Sequence, residues 1–247
     1  MCGIFAILRE PATRRPPSVE TVTGLLDHAT SAASAPDLVD GFDCAAEVLR
    51  DLNELLKGTP GVRALTNEPG LADTVYARVG EIDAVIAGVE ADLDAGRVAE
   101  HVSLEMLNSS LVALKDATWA LRRDRVRTAT AVADLIGGPL GTDFDASSVE
   151  AYTSVQLALS SIDRLEVRGR DSAGLGVIVS GHNLDTEIAD ILAARESPLL
   201  LSNSVHRTSE AIAFIYKEAA EIGALGDNVK GLRQAIMADD LLRRVVA

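Results

Sequence analysis

The chain opens Met1-Cys2-Gly3-Ile4-Phe5, so trimming of the initiator methionine makes Cys2 the N-terminal residue. A thiol and an α-amine then sit on one amino acid. The thiolate, not the thiol, is the nucleophile, and a catalytic cysteine therefore needs a base beside it or a lowered pKa. A free α-amine titrates at about 7.7–8.0 and is partly able to accept a proton near neutrality. Nucleophile and base can thus belong to the same residue, as in N-terminal threonine catalysis. The same residues also read as a structural thiol at the start of a buried strand. From Cys2 alone, both readings stand.

The elements that would position this cysteine fall into three stretches. Cys2–Leu8, sequence CGIFAIL, is an apolar run of the length expected for a strand buried on both faces, ended by Pro11, Pro16 and Pro17. Residues 18–145 are rich in alanine and leucine at helical spacing. Leu38, Phe42, Ala45, Val48, Leu52 and Leu56 share one face. Leu71, Val75, Val79, Ile82, Ile86, Val89 and Leu93 form a second stripe spaced by threes and fours. A third stretch, 98–136, carries Leu104, Leu107, Leu111, Leu114 and Leu121, and its charged part Arg122-Arg123-Asp124-Arg125-Val126-Arg127 is expected to face solvent or a partner. Gly137-Gly138-Pro139 closes the block.

Beyond it, Ser147 with Glu150 predicts a capping box opening a helix whose apolar face is Val149, Tyr152, Val155, Leu159, Ile162 and Leu165. Arg168-Gly169-Arg170-Asp171-Ser172-Ala173-Gly174 follows, then Leu175–Val179 as a second buried strand. Gly181-His182-Asn183 reads as a hairpin turn, Ala211–Ala219 as a third strand, and Gly226-Asp227-Asn228 as the start of a helix carrying Val229, Leu232, Ile236, Leu241 and Leu242.

Composition narrows the function classes. The 247 residues carry 23 basic and 37 acidic side chains, a net charge of −14, which makes nucleic acid a poor partner. Aromatics at 3% argue against base-stacking platforms. Two cysteines, Cys2 and Cys44, make no disulfide framework or zinc cluster, and a reducing cytoplasm is expected. No apolar run reaches the roughly 18 residues that cross a bilayer, and Arg9 and Glu10 interrupt the opening stretch before it reads as a signal peptide. No cofactor is expected, since the glycine-rich pieces match no nucleotide fingerprint.

Cys2-Gly3-Ile4 at the N-terminus, with a helix leading into Arg168-Gly169-x-Asp171-Ser172-Ala173-Gly174 and a strand, resembles the class II glutamine amidotransferases. Within these N-terminal-nucleophile hydrolases, Asp-Ser-Ala-Gly and the later Leu225-Gly226-Asp227-Asn228-Val229 look like the glutaminase domain of glucosamine-6-phosphate synthases. The resemblance covers residues 1–10 and 146–247. It departs from the family at Arg170, where tyrosine is usual, and in having more than a hundred residues where the family has about fifteen.

The resemblance implies an α+β fold: an incomplete αββα sandwich, its first strand in residues 1–17, interrupted by a helical insertion at 18–145 and resumed at 146–247. It implies that Cys2 attacks the side-chain amide of L-glutamine and that Arg168 and Gly169 sit near the nucleophile, the arginine positioning the N-terminus. Arg168 and Gly169 also read as a helix C-cap and a left-handed turn, and both roles can coexist. Asp171 and Ser172 are expected to fix the turn.

The family's oxyanion donors come from an Asn-Gly pair, and its glutamine clamp from a His-Thr-Arg-Trp segment and a later aspartate. Neither segment occurs by Ala247, so the substrate-binding residues are expected downstream and the isolated 247 residues are expected to be nearly inactive. His206-Arg207-Thr208 has the wrong order for the clamp; His28, His101, His182 and His206 are all read as non-catalytic. The implied partner is a sugar-isomerase module that aminates fructose 6-phosphate. Two other readings stay open: another N-terminal-cysteine amidase, and a helical interaction protein. Oligomeric state is left undetermined.

Overall fold

The computed structural model describes residues 3–97, 103–166, 172–182, 186–196, 201–208, 210–219 and 225–247. Among the described residues the chain combines many helices with one small antiparallel sheet, an α+β composition. It divides into two compact units: Ala12–Ala131 with Pro139–Asp143, and Met1–Pro11, Val132–Gly138 and Phe144–Ala247.

The first unit is helical. Helix α1 (Val19–Ala33) starts at Ser18, whose Oγ accepts from the Thr21 amide at 3.2 Å. Helix α2 (Leu38–Leu55) starts at Asp37, which accepts from the Val39 and Asp40 amides at 3.1 and 3.2 Å. Such caps satisfy amide donors that the first helical turn leaves without partners. At the far end of α2, Arg14 donates to the Leu55 and Lys57 carbonyls, both at 2.6 Å. Helices α3 (Gly58–Asn67), α4 (Leu71–Asp94) and α5 (Leu104–Trp119) follow, then a π-helical segment at Ala120–Val126 that runs into α6 (Arg127–Ile136).

The two expected apolar stripes form the core: Phe42, Leu49 and Leu52 on α2 and Val75, Val79 and Ile82 on α4 are fully buried, with Leu107 and Leu114 of α5 beside them. Helix α2 packs on α1 and α5, and α4 on α1 and the π segment.

Two features of this unit differ from the sequence reading. The third helical stretch is not one α-helix, because its arginine-rich part adopts the wider π geometry. Nor does that part simply face solvent. Arg122 pairs with Asp83 and lies 4.3 Å from the centre of the Tyr76 ring, while Arg125 Nε donates to Asn53 Oδ1 at 2.8 Å. Charge alone marks a residue as exposed only when no complementary group waits on the neighbouring helix, and here α4 and α2 supply one.

The turn from α2 into α3 is so tight that a Cβ built on Gly61 would lie 2.0 Å from the Leu56 carbonyl oxygen and 2.2 Å from its carbon. The obstacle is backbone, so it cannot swing aside. Gly61→Ala is therefore expected to destabilise the helical unit by about 3 kcal/mol, as overpacking of a close contact does, readable as a lower urea midpoint.

The second unit contains helix α7 (Ala146–Glu166), strand β1 (Ala173–Ser180), helix α8 (Thr186–Arg195), strands β2 (Ser204–Arg207) and β3 (Ala211–Glu218), and helices α9 (Asp227–Met237) and α10 (Asp240–Val246). The sheet order is β1-β3-β2, both pairings antiparallel, with Val177 opposite Phe214 and Val205 opposite Phe214 on the other side.

Ile212, Phe214 and Tyr216 point to the covered face of the sheet and are fully buried. Helix α9 lies against β1 and β3 there, with Gly231 hard against Glu218, and α7 touches α9, β1 and α10. On the opposite face Gly174, Gly176, Ile178 and Ser180 of β1 are exposed, Ile178 at 73%.

Four expectations are corrected in this unit. The run Cys2–Leu8 is not a buried strand: residues 3–10 join no sheet, and Ile4 and Leu8 are 97% and 96% exposed. An apolar run states a wish for burial, but a strand also needs a partner edge for its amides, and none of the three described strands pairs with it. Strand β1 is present but half-exposed, with alternate side chains on each face, not buried on both.

Helix α7 is capped by Asp145 instead of Ser147: Asp145 Oδ1 accepts from the Ser148 amide and the Ser147 hydroxyl, each at 2.7 Å. Burial alone would raise the Asp145 carboxyl, but these hydrogen bonds hold it below its usual value. A carboxylate two residues upstream outcompeted the serine. Finally, Gly181 ends β1 with φ of +69°, yet the chain proceeds to α8 instead of returning as a hairpin, and Asn183 lies outside the described residues. The partner strand β3 arrives some thirty residues later.

Candidate functional site

Cys2, Arg168, Gly169 and Asp171 lie outside the described residues, so the arrangement is built from their neighbours. Asp145 sets the start of α7, whose buried Val149, Tyr152, Val155, Leu159 and Ile162 carry it to Glu166, two residues before Arg168. Ser172 is described again, and β1 begins at Ala173. A Cβ built on Gly3 would stand 3.0 and 3.1 Å from the Leu165 Cδ atoms. The residue following Cys2 therefore touches the last turn of the helix that leads into Arg168-Gly169. Phe5 and Ile7 are half-buried, whereas Ile4, Ala6 and Leu8 are exposed, so the segment lays alternate side chains against its own unit.

Downstream of the motif, β1 offers an open face. Gly174 and Gly176 place no side chain on it, and the β3 residues opposite them are Lys217 and Ile215. The Leu225–Val229 segment delivers α9: Gly226 takes a left-handed φ of +94°, Asn228 is buried, and Leu232 and Ile236 face the core.

The histidines fall as follows. His182 is half-buried just after β1, and neither ring nitrogen has a hydrogen-bond partner among the described residues. His206 lies in β2 with its buried Nε2 unpartnered in the same sense. His28 Nε2 lies 3.9 Å from Cys44 Sγ across α1 and α2. His101 lies outside the described residues.

One polar cluster escaped the sequence reading. Arg195 at the end of α8 makes a two-pronged pair with Asp239, Nη1 to Oδ1 at 2.7 Å and Nη2 to Oδ2 at 2.9 Å, and also donates to the Asn203 carbonyl. The Tyr216 hydroxyl donates to Asp239 Oδ2 at 2.8 Å, and Asp239 Oδ1 accepts from the Leu241 and Leu242 amides, both at 3.1 Å. Its carboxylate is only 5% exposed.

Burial would raise the Asp239 carboxyl, but hydrogen bonds from Arg195, Tyr216 and the Leu242 amide hold it below the usual range. Burial first, then the neighbouring Asp239 charge, pushes the Tyr216 phenol well up. This cluster ties α8, β3 and α10 together, and every acceptor in it is engaged. It reads as a structural lock, not as a catalytic group. The signal was invisible locally because the three side chains at its centre, Arg195, Tyr216 and Asp239, are 21 to 44 residues apart.

Among the described residues there is no group of three or more metal-ligating side chains, and no helix is long and apolar enough to cross a membrane. Comparisons with protein-family models, with curated proteins and with solved structures find nothing that matches this chain.

Proposed function

We propose that the chain is the N-terminal part of a glutamine-dependent amidotransferase that releases ammonia from L-glutamine through a thioester on Cys2, for amination of a sugar phosphate of the fructose 6-phosphate type. The reading rests on the motif pair Cys2-Gly3 and Arg168-Gly169. The observation that supports it is the contact of Gly3 with Leu165, three residues before Arg168. In this reading β1, β3, α7 and α9 belong to the αββα sandwich of the N-terminal-nucleophile hydrolases.

The chemistry follows from the N-terminal cysteine. The α-amine takes the thiol proton as Sγ attacks the glutamine side-chain carbonyl carbon. As the C–N bond breaks, that proton passes to the leaving nitrogen and ammonia departs. Water then attacks the glutamyl thioester, the C–S bond breaks, and glutamate leaves with the thiol restored. Oxyanion donors, each worth about 3–4 kcal/mol, are required and are placed in sequence beyond Ala247. The acceptor sugar belongs to an isomerase module on that further sequence or on another chain.

The test is capture of the acyl-enzyme in the protein carrying its complete reading frame. Rapid acid quenching during glutamine turnover, followed by peptide mass spectrometry, is expected to find a glutamyl adduct on an N-terminal peptide that starts at Cys2. An N-terminus that retains Met1, or an adduct on Cys44, would remove the basis for the mechanism. Turnover of a simple amide at least as fast as glutamine would instead favour a different N-terminal-cysteine amidase.

A further inference from the structure

We propose that the free edge of β1 pairs with β1 of a second copy of this chain, antiparallel and about a two-fold axis, joining two three-stranded sheets into one. The surface used is the edge of the sheet, whereas a sandwich stacks on its face. The proposal therefore stands apart from the glutaminase reading.

Strand β1 pairs with β3 along all eight of its residues without a bulge, and among the described residues nothing pairs with its other side. Alternate N–H and C=O groups point out of that side with no backbone partner. An edge of this kind is a template for another strand, and folded chains usually blunt it with lysine, proline, a bulge or a covering segment. Ala173–Ser180, sequence AGLGVIVS, has none of these. The opposite edge of the sheet does: Glu196 bridges Val205 of β2, and Arg207 Nε donates to the Glu196 carboxylate at 2.6 Å. One edge is closed by the chain itself and the other is bare.

Burial points the same way. On the covered face Leu175, Val177 and Val179 lie opposite Tyr216, Phe214 and Ile212, yet the three β1 side chains are half-buried while the three on β3 are fully buried. What the β1 row lacks is a neighbour on its outer side.

Charge and symmetry select the occupant. A net charge of −14 opposes contact between two copies through acidic surfaces, whereas eight uncharged residues meet themselves without bringing acids together. Antiparallel pairing of a segment with itself uses one patch twice and closes. With Val177 opposite the second copy's Val177, Leu175 falls opposite its Val179 on the covered face. On the open face Ile178, 73% exposed, falls opposite the second copy's Gly176, whose missing side chain leaves room for it. Because the β2 edge is closed, the assembly stops at two copies.

Seven paired residues span about 24 Å, a contact at the small end of specific interfaces. Its dissociation constant is therefore expected in the range of roughly 10–100 µM.

The experiment is sedimentation of the full chain across that range, with hydrogen exchange of the β1 peptide read at both ends of it. Expected are a reversible monomer–dimer equilibrium and protection of β1 amides that rises with concentration. Ile178→Lys places an edge-blocking charge on an exposed side chain, and is expected to weaken association at least tenfold with an unchanged far-ultraviolet spectrum. Gly176→Glu is expected to do the same, since a Cβ there meets only Ile215 Cδ1, at an ordinary 3.8 Å. Combining the two sets each lysine opposite a glutamate of the other copy and is expected to restore pairing. A chain that stays monomeric overturns the proposal, whether its β1 amides exchange freely or are protected at every concentration by a segment of the same chain. Assembly beyond two copies, single variants that pair like the parent, or a double variant that stays apart overturn it as well.

Discussion

Replacing Cys2 with alanine is expected to lower glutamate release from glutamine at least about 10,000-fold in the protein carrying its complete reading frame, because a nucleophile and the groups that serve it act as one unit. Assembly and thermal unfolding are expected to stay unchanged. The base makes a second demand. If the α-amine of Cys2 accepts the thiol proton, a variant that retains Met1 is expected to lose comparable activity although its thiol is intact, since the amine then belongs to another residue.

The rate is expected to fall as pH drops below the range where a free α-amine loses its proton, about 7.7–8.0, because only the neutral amine is a base. Glutaminase kinetics with N-terminal mass spectrometry check all three statements. Unchanged turnover in Cys2→Ala would exclude Cys2 as the nucleophile and with it the thioester mechanism.

The second large effect concerns stability. Asp239→Ala is expected to cost about 3 kcal/mol, since removing one partner of a buried pair leaves the other charge without compensation, here softened because Arg195 keeps 25% of its surface in water. It also removes the cap of α10 and the acceptor of the Tyr216 hydroxyl. Asp239→Asn is expected to cost less, because one oxygen can still accept from the Leu241 and Leu242 amides. Tryptophan fluorescence would miss the change, because Trp119 lies in the other unit. Hydrogen exchange of β3 and α10 peptides reads it directly.

The pH dependence has a definite sign. The Asp239 carboxyl lies below its unfolded value, so its contribution is present above about pH 3.9 and is lost as pH falls through the lower folded value. The Tyr216 phenol lies above its unfolded value, so its contribution is present below about pH 10 and is lost as pH rises beyond that. Protection of the second unit is therefore expected to be broad between these limits, and Asp239→Ala to flatten the acid side.

The helical unit was readable because its information is local. A stripe such as Leu71, Val75, Val79, Ile82 and Ile86 states both the period of the helix and the face that will be buried, and the structure buries that face. The strands carry less. Leu175–Val179 and Ala211–Ala219 identified β1 and β3, but two short apolar runs do not say whether they pair with each other, and the four-residue β2 escaped notice. Residues 2–8 show the limit most clearly: composition asked for a buried strand, and the described residues 3–8 found no edge to join. The π segment was hidden for a related reason, since Arg122 and Arg125 turn inward only because Asp83, Tyr76 and Asn53 come from other helices.

For the candidate site, the residue types and their order were legible: a cysteine with its own amine, and an Arg-Gly pair between a helix and a strand. The chemistry of Cys2 follows from elementary acid–base properties and needs no fold to state. What only the tertiary structure decided is proximity across long stretches of chain. It set Gly3 on Leu165 from 162 residues away, and closed Arg195, Tyr216 and Asp239 around one carboxylate. Such contacts leave no periodicity in the sequence, because the distance that governs a hydrogen bond or a packed methyl group is measured through space, and nothing in the spacing along the chain encodes it.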